Sequence, residues 1–577
     1  MLTLCTDLIF KISENLADKD KIMFGSVVKS YCPYKSLFTY HENVDFEDVK
    51  MLAYFDRFET ITLQSTKDVL PKSAKCVNYF TKGCRIPVGV THLTIGDKIN
   101  SKSNIVIPNT VTHVNIGKLD HRIIMTMPDS VVHLSYSKTY WHTVENMIPK
   151  KATYLDLSGI YQNVTDYIPN TVTFLKFGKN FDHPVEGKIP NSVQQLHFGE
   201  FFNQPIKKAI PPMLTHLTLG CNFAYPLDGI LPSTITHLSI MSRMHSIKTW
   251  MPQFVTHLKI VVDDLNIRDL PQTVTNLNVC IVGSCVPGCI PASVTHLTLT
   301  TCTNDLVSDV VPHGVTHLTF NGSLGIDVGA LPLSITHLTL GSTFNKTLKN
   351  VIPASVTHLT FSNHKKHGYC AQFNQPINET IPISVTHLTF GGLFNQLIDG
   401  MIPASVTHLT FGEQFNQQLK NLPNSITHLT LGKNFNRSIK NSIPSSVTHL
   451  CFGESFDRPI ATHISPSVTH LTFGDMFNQP IENGIPASVT HLTFGHNFNQ
   501  MVQNNIPSSV KYLVFGDVFD RIVTKLPSSL IRVIFGKNFN KSINKLPHNI
   551  ATIILHSNYN KPINSELLPK IKVVRQR

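Results

Sequence analysis

Two groups of side chains in this sequence are of the kinds that do chemistry. The first is a series of histidines. His92, His113 and His133 are followed by His216, His237 and His257, and then by ten more from His296 to His491, sixteen in all. Imidazoles bind zinc, but a zinc site needs three or four ligands converging on one point at about 2.1 Å. Side chains on stacked parallel strands stand about 4.8 Å apart and do not converge. The spacing therefore predicts a solvent-facing ladder of rings alternating with threonine. Charging neighbouring imidazoles sets like charges side by side, so the ladder is expected to titrate broadly, below the ordinary value near 6.5.

The second group is Cys280, Cys285, Cys289 and Cys302, the one dense cluster among 11 cysteines. It lacks the paired Cys-x-x-Cys knuckles of structural zinc, so these thiols are expected to serve as small buried hydrophobes. The odd total and irregular spacing suit reduced thiols better than a disulfide framework. No glycine-rich phosphate loop opens a helix, and neither a nucleophile elbow nor His-Glu-x-x-His occurs. No catalytic residue, metal or cofactor is expected, and the chain reads as a non-enzyme.

The elements that must carry these histidines come from a repeat. Ile381 to Phe390 reads IPISVTHLTF, and Ile402 to Phe411 and Ile485 to Phe494 both read IPASVTHLTF. The proline marks the unit from Pro87 to Pro569, at intervals of 19 to 22 residues with one exception of 29. The exception is an insertion at about 363–371. Within the unit, apolar Leu388 and Phe390 alternate with polar His387 and Thr389, the period of a half-buried strand. Proline before the strand and Gly391 after it keep it short. About 20 residues with one strand leave room for a return path but not a helix, so each unit is one turn of a coil. The return half carries Phe394-Asn395, Phe415-Asn416 and Phe435-Asn436, with Phe456-Asp457 and Phe519-Asp520 as variants. Phenylalanine is sized to fill the far edge of the coil, and Asn or Asp is expected to bond its own turn.

The pairing of Phe-Asn with a following Ile-Pro, as in Phe394-Asn395 then Ile402-Pro403, closely resembles the FNIP repeat, a relative of the leucine-rich repeat found in social amoebae and large viruses of amoebae. The resemblance runs from about Ile86 to the C-terminus, and its Phe-Asn half fades between Pro87 and Pro149 and again between Pro232 and Asn321. It implies a leucine-rich-repeat-like solenoid of about 23 to 24 coils over 86–577, with a parallel β-sheet on one face.

The N-terminus is patterned differently. Leu4, Leu8, Ile9, Ile12 and Leu16 fall at helical spacing, Thr6 can cap the first turn, and Asp20 to Lys29 reads as a second short helix. Such helices would also serve to cap the end of a solenoid. The run Leu4 to Ser30 resembles an F-box, which implies a small helical module at 1–50, a linker and capping region at 51–85, and Leu4, Leu8, Ile9, Ile12 and Leu16 as adaptor contacts. An F-box joined to such repeats implies the substrate-recognition subunit of a cullin-type ubiquitin ligase: a Skp-type adaptor docks on the helices and a target protein on the repeats, in the cytoplasm, that of the host if the protein is viral. The alternatives are an interaction scaffold outside any ligase and, more remotely, a β-helix enzyme.

Identical repeats present identical surface, so target recognition is expected where the pattern breaks. Trp141 and Trp250, the only two tryptophans, and His364, His367 and Tyr369 in the insertion are the candidates. The formal charge of +12 is spread thinly, without the clustering a nucleic-acid groove needs. No run of about 20 apolar residues exists to span a membrane. Asp7 interrupts the first apolar run, which argues against a secretory signal.

Overall fold

A computed structural model describes residues 41–564 apart from 42, 47–49, 51–54, 64, 66–67, 82–84, 97–103, 118–123, 138–146, 245–246, 248, 267–268, 284–285, 302–308, 323–325, 327–330, 363–371 and 557. The two helices expected before Ser30 lie outside these residues. Contacts divide the chain into two units, Met1–Arg243 with Thr249–Val255 and Met244–Lys248 with Thr256–Arg577.

In the second unit, strands from His257–Val262 to Thr552–Ile554 pair in chain order, every pair parallel. Register is set by the repeat itself. Leu388 lies opposite Leu409, and Leu409 opposite Leu429. Slipping by one residue would turn this apolar column to solvent and bring the histidines inside. Five buried columns build each coil: Val406, Leu409, Phe411, Phe415 and Leu419 are all at most 3% exposed. Each such side chain contributes about 1.5–3 kcal/mol on burial. Phe390 stacks on Phe394 at 4.0 Å, and Phe394 faces Phe415 of the next coil at 6.2 Å. The insertion at 363–371 leaves the ladder undisturbed, since Leu359 pairs directly with Leu388.

Two backbone demands explain the punctuation. A Cβ on Gly412 would overlap the Gly391 carbonyl oxygen of the preceding coil, and the same holds at Gly432 and Gly453. Glycine ends these strands because the neighbouring backbone occupies the place of a side chain. Three residues before many of the marking prolines the chain enters the left-handed region, as at Gly400 (φ 67°), Asn441 (φ 55°) and Asn483 (φ 53°), where Gly and Asn are the favoured residues.

The Phe-Asn pair behaves differently from expectation in one respect. Asn395 Oδ1 accepts the backbone N–H of Asn416, 2.9 Å away in the next coil, and the Nε2 of Gln417 at 3.2 Å. The asparagine bonds the neighbouring turn because stacking leaves that N–H facing it. A carboxylate accepts equally well, and Asp457 Oδ1 takes the N–H of Asn478 at 3.0 Å.

The first unit follows the same plan but starts earlier than the proline marks suggest. Val44–Asp45 pairs with Thr60–Leu63, which pairs with Cys76–Thr81, which pairs with His92–Ile95, all parallel. The stretch 51–85, expected to be linker and cap, therefore supplies strands: Ile61, Leu63 and Val77 are buried in alternation, with Pro71 six residues before Val77 as Pro382 is before Leu388, and Phe55 in the proline's place before Ile61. Where the Phe-Asn half fades after Pro87, the return path forms its own parallel pair, Asn104–Val106 with Ile124–Thr126, burying Ile105 and Met125.

Candidate functional site

The surface these coils organise is the outer face of the sheet. On each strand leucine points inward, and the residues on either side of it point out. In the second unit ten imidazoles from His296 to His491 stand in register, half-buried or exposed, with neighbouring ring centroids 4.1 to 4.4 Å apart and planes within 13°. Tyr512 closes the stack against His491 at 4.4 Å. A second column, Thr389, Thr410 and Thr430, runs beside it.

Each ring is held from behind. Thr407 Oγ1 lies 2.9 Å from His408 Nδ1 and 3.2 Å from the carbonyl oxygen of Thr386 in the preceding coil. That carbonyl also accepts the N–H groups of Thr407 and His408, at 2.9 and 3.1 Å. The threonine before the histidine thus orients the ring and ties it to the ladder. Burial, followed by repulsion from neighbouring rings, holds His317, His358, His387, His428, His449 and His470 below the ordinary imidazole value. The direction matches expectation, but desolvation outranks the like-charge repulsion from which it was argued.

In the first unit the face changes chemistry. His92 stacks on His113 at 4.0 Å, His113 on His133 more loosely at 5.0 Å and 26°, and then Tyr154 stacks on His133 at 3.8 Å and Phe174 on Tyr154 at 4.1 Å. In the adjoining column Lys176 Nζ reaches Asp156 Oδ2 at 3.1 Å, the carboxylate being 16% exposed. Asp156 also accepts the N–H of Ser158 at 2.9 Å. Gln195 follows at the histidine position, and His197 Nδ1 meets Thr218 Oγ1 at 2.9 Å. This aromatic and charged patch interrupts an otherwise uniform face. Its residues went unnoticed in the sequence because Tyr154, Asp156, Phe174 and Lys176 preserve the alternation. The signal was there in the residue type at fixed register.

The expected contacts are scattered. Leu4, Leu8, Ile9, Ile12, Leu16, Trp141, His364, His367 and Tyr369 lie outside the described residues. Trp250 is buried, at 8% exposure. Of the cysteine cluster, Cys289 is buried and Cys280 half-buried. Among the described residues no three His, Cys, Asp or Glu are grouped to hold a metal ion, and no helix is long and apolar enough to cross a membrane.

Comparison with known proteins agrees with this geometry. The crystal structure of CroV588, described as a novel circular LRR protein, is 27% identical, with a TM-score of 0.59 over 92% of this chain and 98% of that one. The solenoid is therefore leucine-rich-repeat-like. An FNIP repeat-containing protein, L415 of Acanthamoeba polyphaga mimivirus, is 30% identical over 161 residues, a match spanning 24% of this chain and 39% of that relative. The FNIP Repeat model matches residues 80–119, 163–201, 202–242, 284–323, 325–364, 373–414, 415–455 and 456–497, and overlapping segments on to 538. These matches fall on the stacked coils, both those with the Phe and Asn columns and some where that half fades, and take in more than half of the sequence, so the chain belongs to the FNIP repeat family.

Proposed function

We propose that this protein is a recruitment arm: the sheet face of the solenoid binds a target protein, and residues 1–50 act as an F-box that docks a Skp-type adaptor of a cullin ubiquitin ligase. The observation that carries the reading is the sheet face itself. In each unit it is an extended, largely uncharged surface, and in the first unit it carries a patch of Tyr154, Phe174 and the Asp156–Lys176 ion pair. Stacked-coil proteins use such extended surfaces to bind partners, and aromatic residues are over-represented where binding energy concentrates. Trp141, His364, His367 and Tyr369 are proposed as further target contacts beyond the sheet face. The arm would raise the local concentration of target beside a ligase that does the chemistry elsewhere, in the cytoplasm.

The helical spacing of Leu4, Leu8, Ile9, Ile12 and Leu16 supports the adaptor half of the reading. Its test is co-purification of the full chain with a Skp-type adaptor. Binding lost on Leu8→Asp with Ile12→Asp supports the ligase role. An intact protein that captures targets but no adaptor would leave a scaffold outside the ubiquitin system.

A further inference from the structure

The histidine stack of the second unit has one hydrogen-bonding arrangement open to it when protonated. A neutral ring can accept from the threonine hydroxyl at Nδ1 or donate to it. A charged ring has a proton on both nitrogens, so Nδ1–H must donate to the threonine oxygen behind it. That hydroxyl in turn points at the carbonyl of the preceding coil, 3.2 Å from Thr407 Oγ1 in the case of His408. The outer nitrogen, Nε2–H, then faces away from the sheet. Repeated from His296 to His491, this makes a row of outward cationic donors.

No carboxylate stands on the sheet to neutralise them. The strands from His257–Val262 to Thr552–Ile554 contain no Asp or Glu. Their charged side chains are Lys259 and Arg532 near the two ends, with Lys511 entering the strand of Tyr512 and Cys451 as a thiol in the threonine column. Beyond the glycine column the turns carry Glu413, Glu454, Asp475 and Asp517. Lys433 pairs with Glu454 at 2.8 Å, and His496 lies 3.4 Å from Asp517. On the side where the strands begin, His313, His548 and Lys511 are the titratable groups on the described proline turns. For His317, His358, His387, His428, His449 and His470 the charges acting on the ring are those of other rings in the stack.

We propose that the sheet face of the second unit is a proton-gated binding site for an extended Asp- and Glu-rich polypeptide segment. This rests on the reading of the sheet face as the partner surface. Free carboxylates remain ionised down to about pH 5, while the stacked rings, held below the ordinary imidazole value, gain protons progressively as pH falls below about 6.5, so attraction grows with acidification. The rim carboxylates oppose a densely charged polyphosphate more than a peptide whose charges are spaced along an extended chain, which favours protein over nucleic acid.

The experiment uses the full chain and a fluorescent oligo-aspartate peptide, followed by anisotropy at fixed low salt from pH 7.5 down to the lowest pH at which circular dichroism is unchanged. A single-stranded DNA of equal charge runs in parallel. Peptide affinity is expected to rise by about tenfold or more on acidification and to fall again with added salt. His387→Asn, His408→Asn and His428→Asn combined should remove most of that rise. Asn276 already occupies this column between His257 and His296, so the fold accommodates the change. No rise, an equal rise in the triple variant, or a rise for DNA alone overturns the proposal. If the rise is absent while sheet-face substitutions still abolish target capture at pH 7.5, the gating is wrong and the partner-surface reading stands.

Discussion

The backbone N–H of Asn416 donates to Oδ1 of Asn395, 2.9 Å away and one coil earlier. The bond recurs from coil to coil: Asn416 accepts from Asn436 at 2.9 Å, Asn436 from Asp457 at 3.1 Å and Asp457 from Asn478 at 3.0 Å. It runs along the return side of the coil, as the backbone ladder runs along the sheet. Asn416→Ala should leave the Asn436 N–H without its acceptor and cost about 1–3 kcal/mol. Asn416→Asp should be close to neutral, because Asp457 and Asp520 do the same work. Urea unfolding of the two variants measures the difference.

Gly412 and Gly400 separate two reasons for glycine. A Cβ at Gly412 meets the Gly391 carbonyl, which belongs to the backbone and cannot move aside. Gly412→Ala should therefore destabilise by at least about 2 kcal/mol. Gly400 has φ 67° and open space around it, and Asn441 and Asn483 hold the equivalent place. Gly400→Asn should stay within about 1 kcal/mol of wild type. Thermal melts of the pair check both values.

Phe415 is fully buried between Phe394 and Phe435, at 6.2 and 6.3 Å. Phe415→Ala should cost about 3–5 kcal/mol, from lost burial and a residual cavity. Because coils contact their neighbours and little else, the damage should stay local. Hydrogen exchange is expected to speed up in the adjoining strands His387–Thr389 and His428–Thr430 while His296–Thr301 keeps its protection. Uniform loss across the second unit would show that the coils do not behave as a chain of nearest neighbours.

Acid should weaken the fold. The stacked rings are held below the ordinary imidazole value by burial first and by one another second. An unfolded chain then binds more protons than the folded one as pH falls. The stability these neutral rings contribute is fully present above about pH 6.5 and is lost as pH drops through their folded values. The urea midpoint should fall between pH 7.5 and 5, and the triple His→Asn variant should show a shallower fall. A midpoint that rises toward pH 5 would contradict the assignment.

Much of this architecture was legible because a period of about 20 residues repeats the same alternation. The columns of Leu388, Phe390 and Phe394 follow from residue type and spacing alone. The asparagine partner was not legible, since a side chain at fixed sequence distance from its own turn lies closer in space to the next one. The early strands were hidden because Phe55 stands where Thr60–Leu63 would have its proline, and the coil of Cys76–Thr81, though it has Pro71, carries Ala74 and Cys76 where later coils carry Val and His. The division into two units was hidden too, because strand patterning persists on both sides of it. The patch at Tyr154 and Phe174 escaped notice for a similar reason: a strand tolerates any outward side chain, so alternation carries no record of what that side chain does.

The measurement that bears most directly on the sheet face as the recognition surface is quantitative affinity purification of the full chain at pH 7.5. Wild type is compared with Tyr154→Ala, Phe174→Ala and Lys176→Glu combined, and with Lys420→Glu and Lys440→Glu combined on the exposed return side. The account predicts that specific partners are lost with the first variant and kept with the second. Partners kept by the first and lost with the second would contradict it.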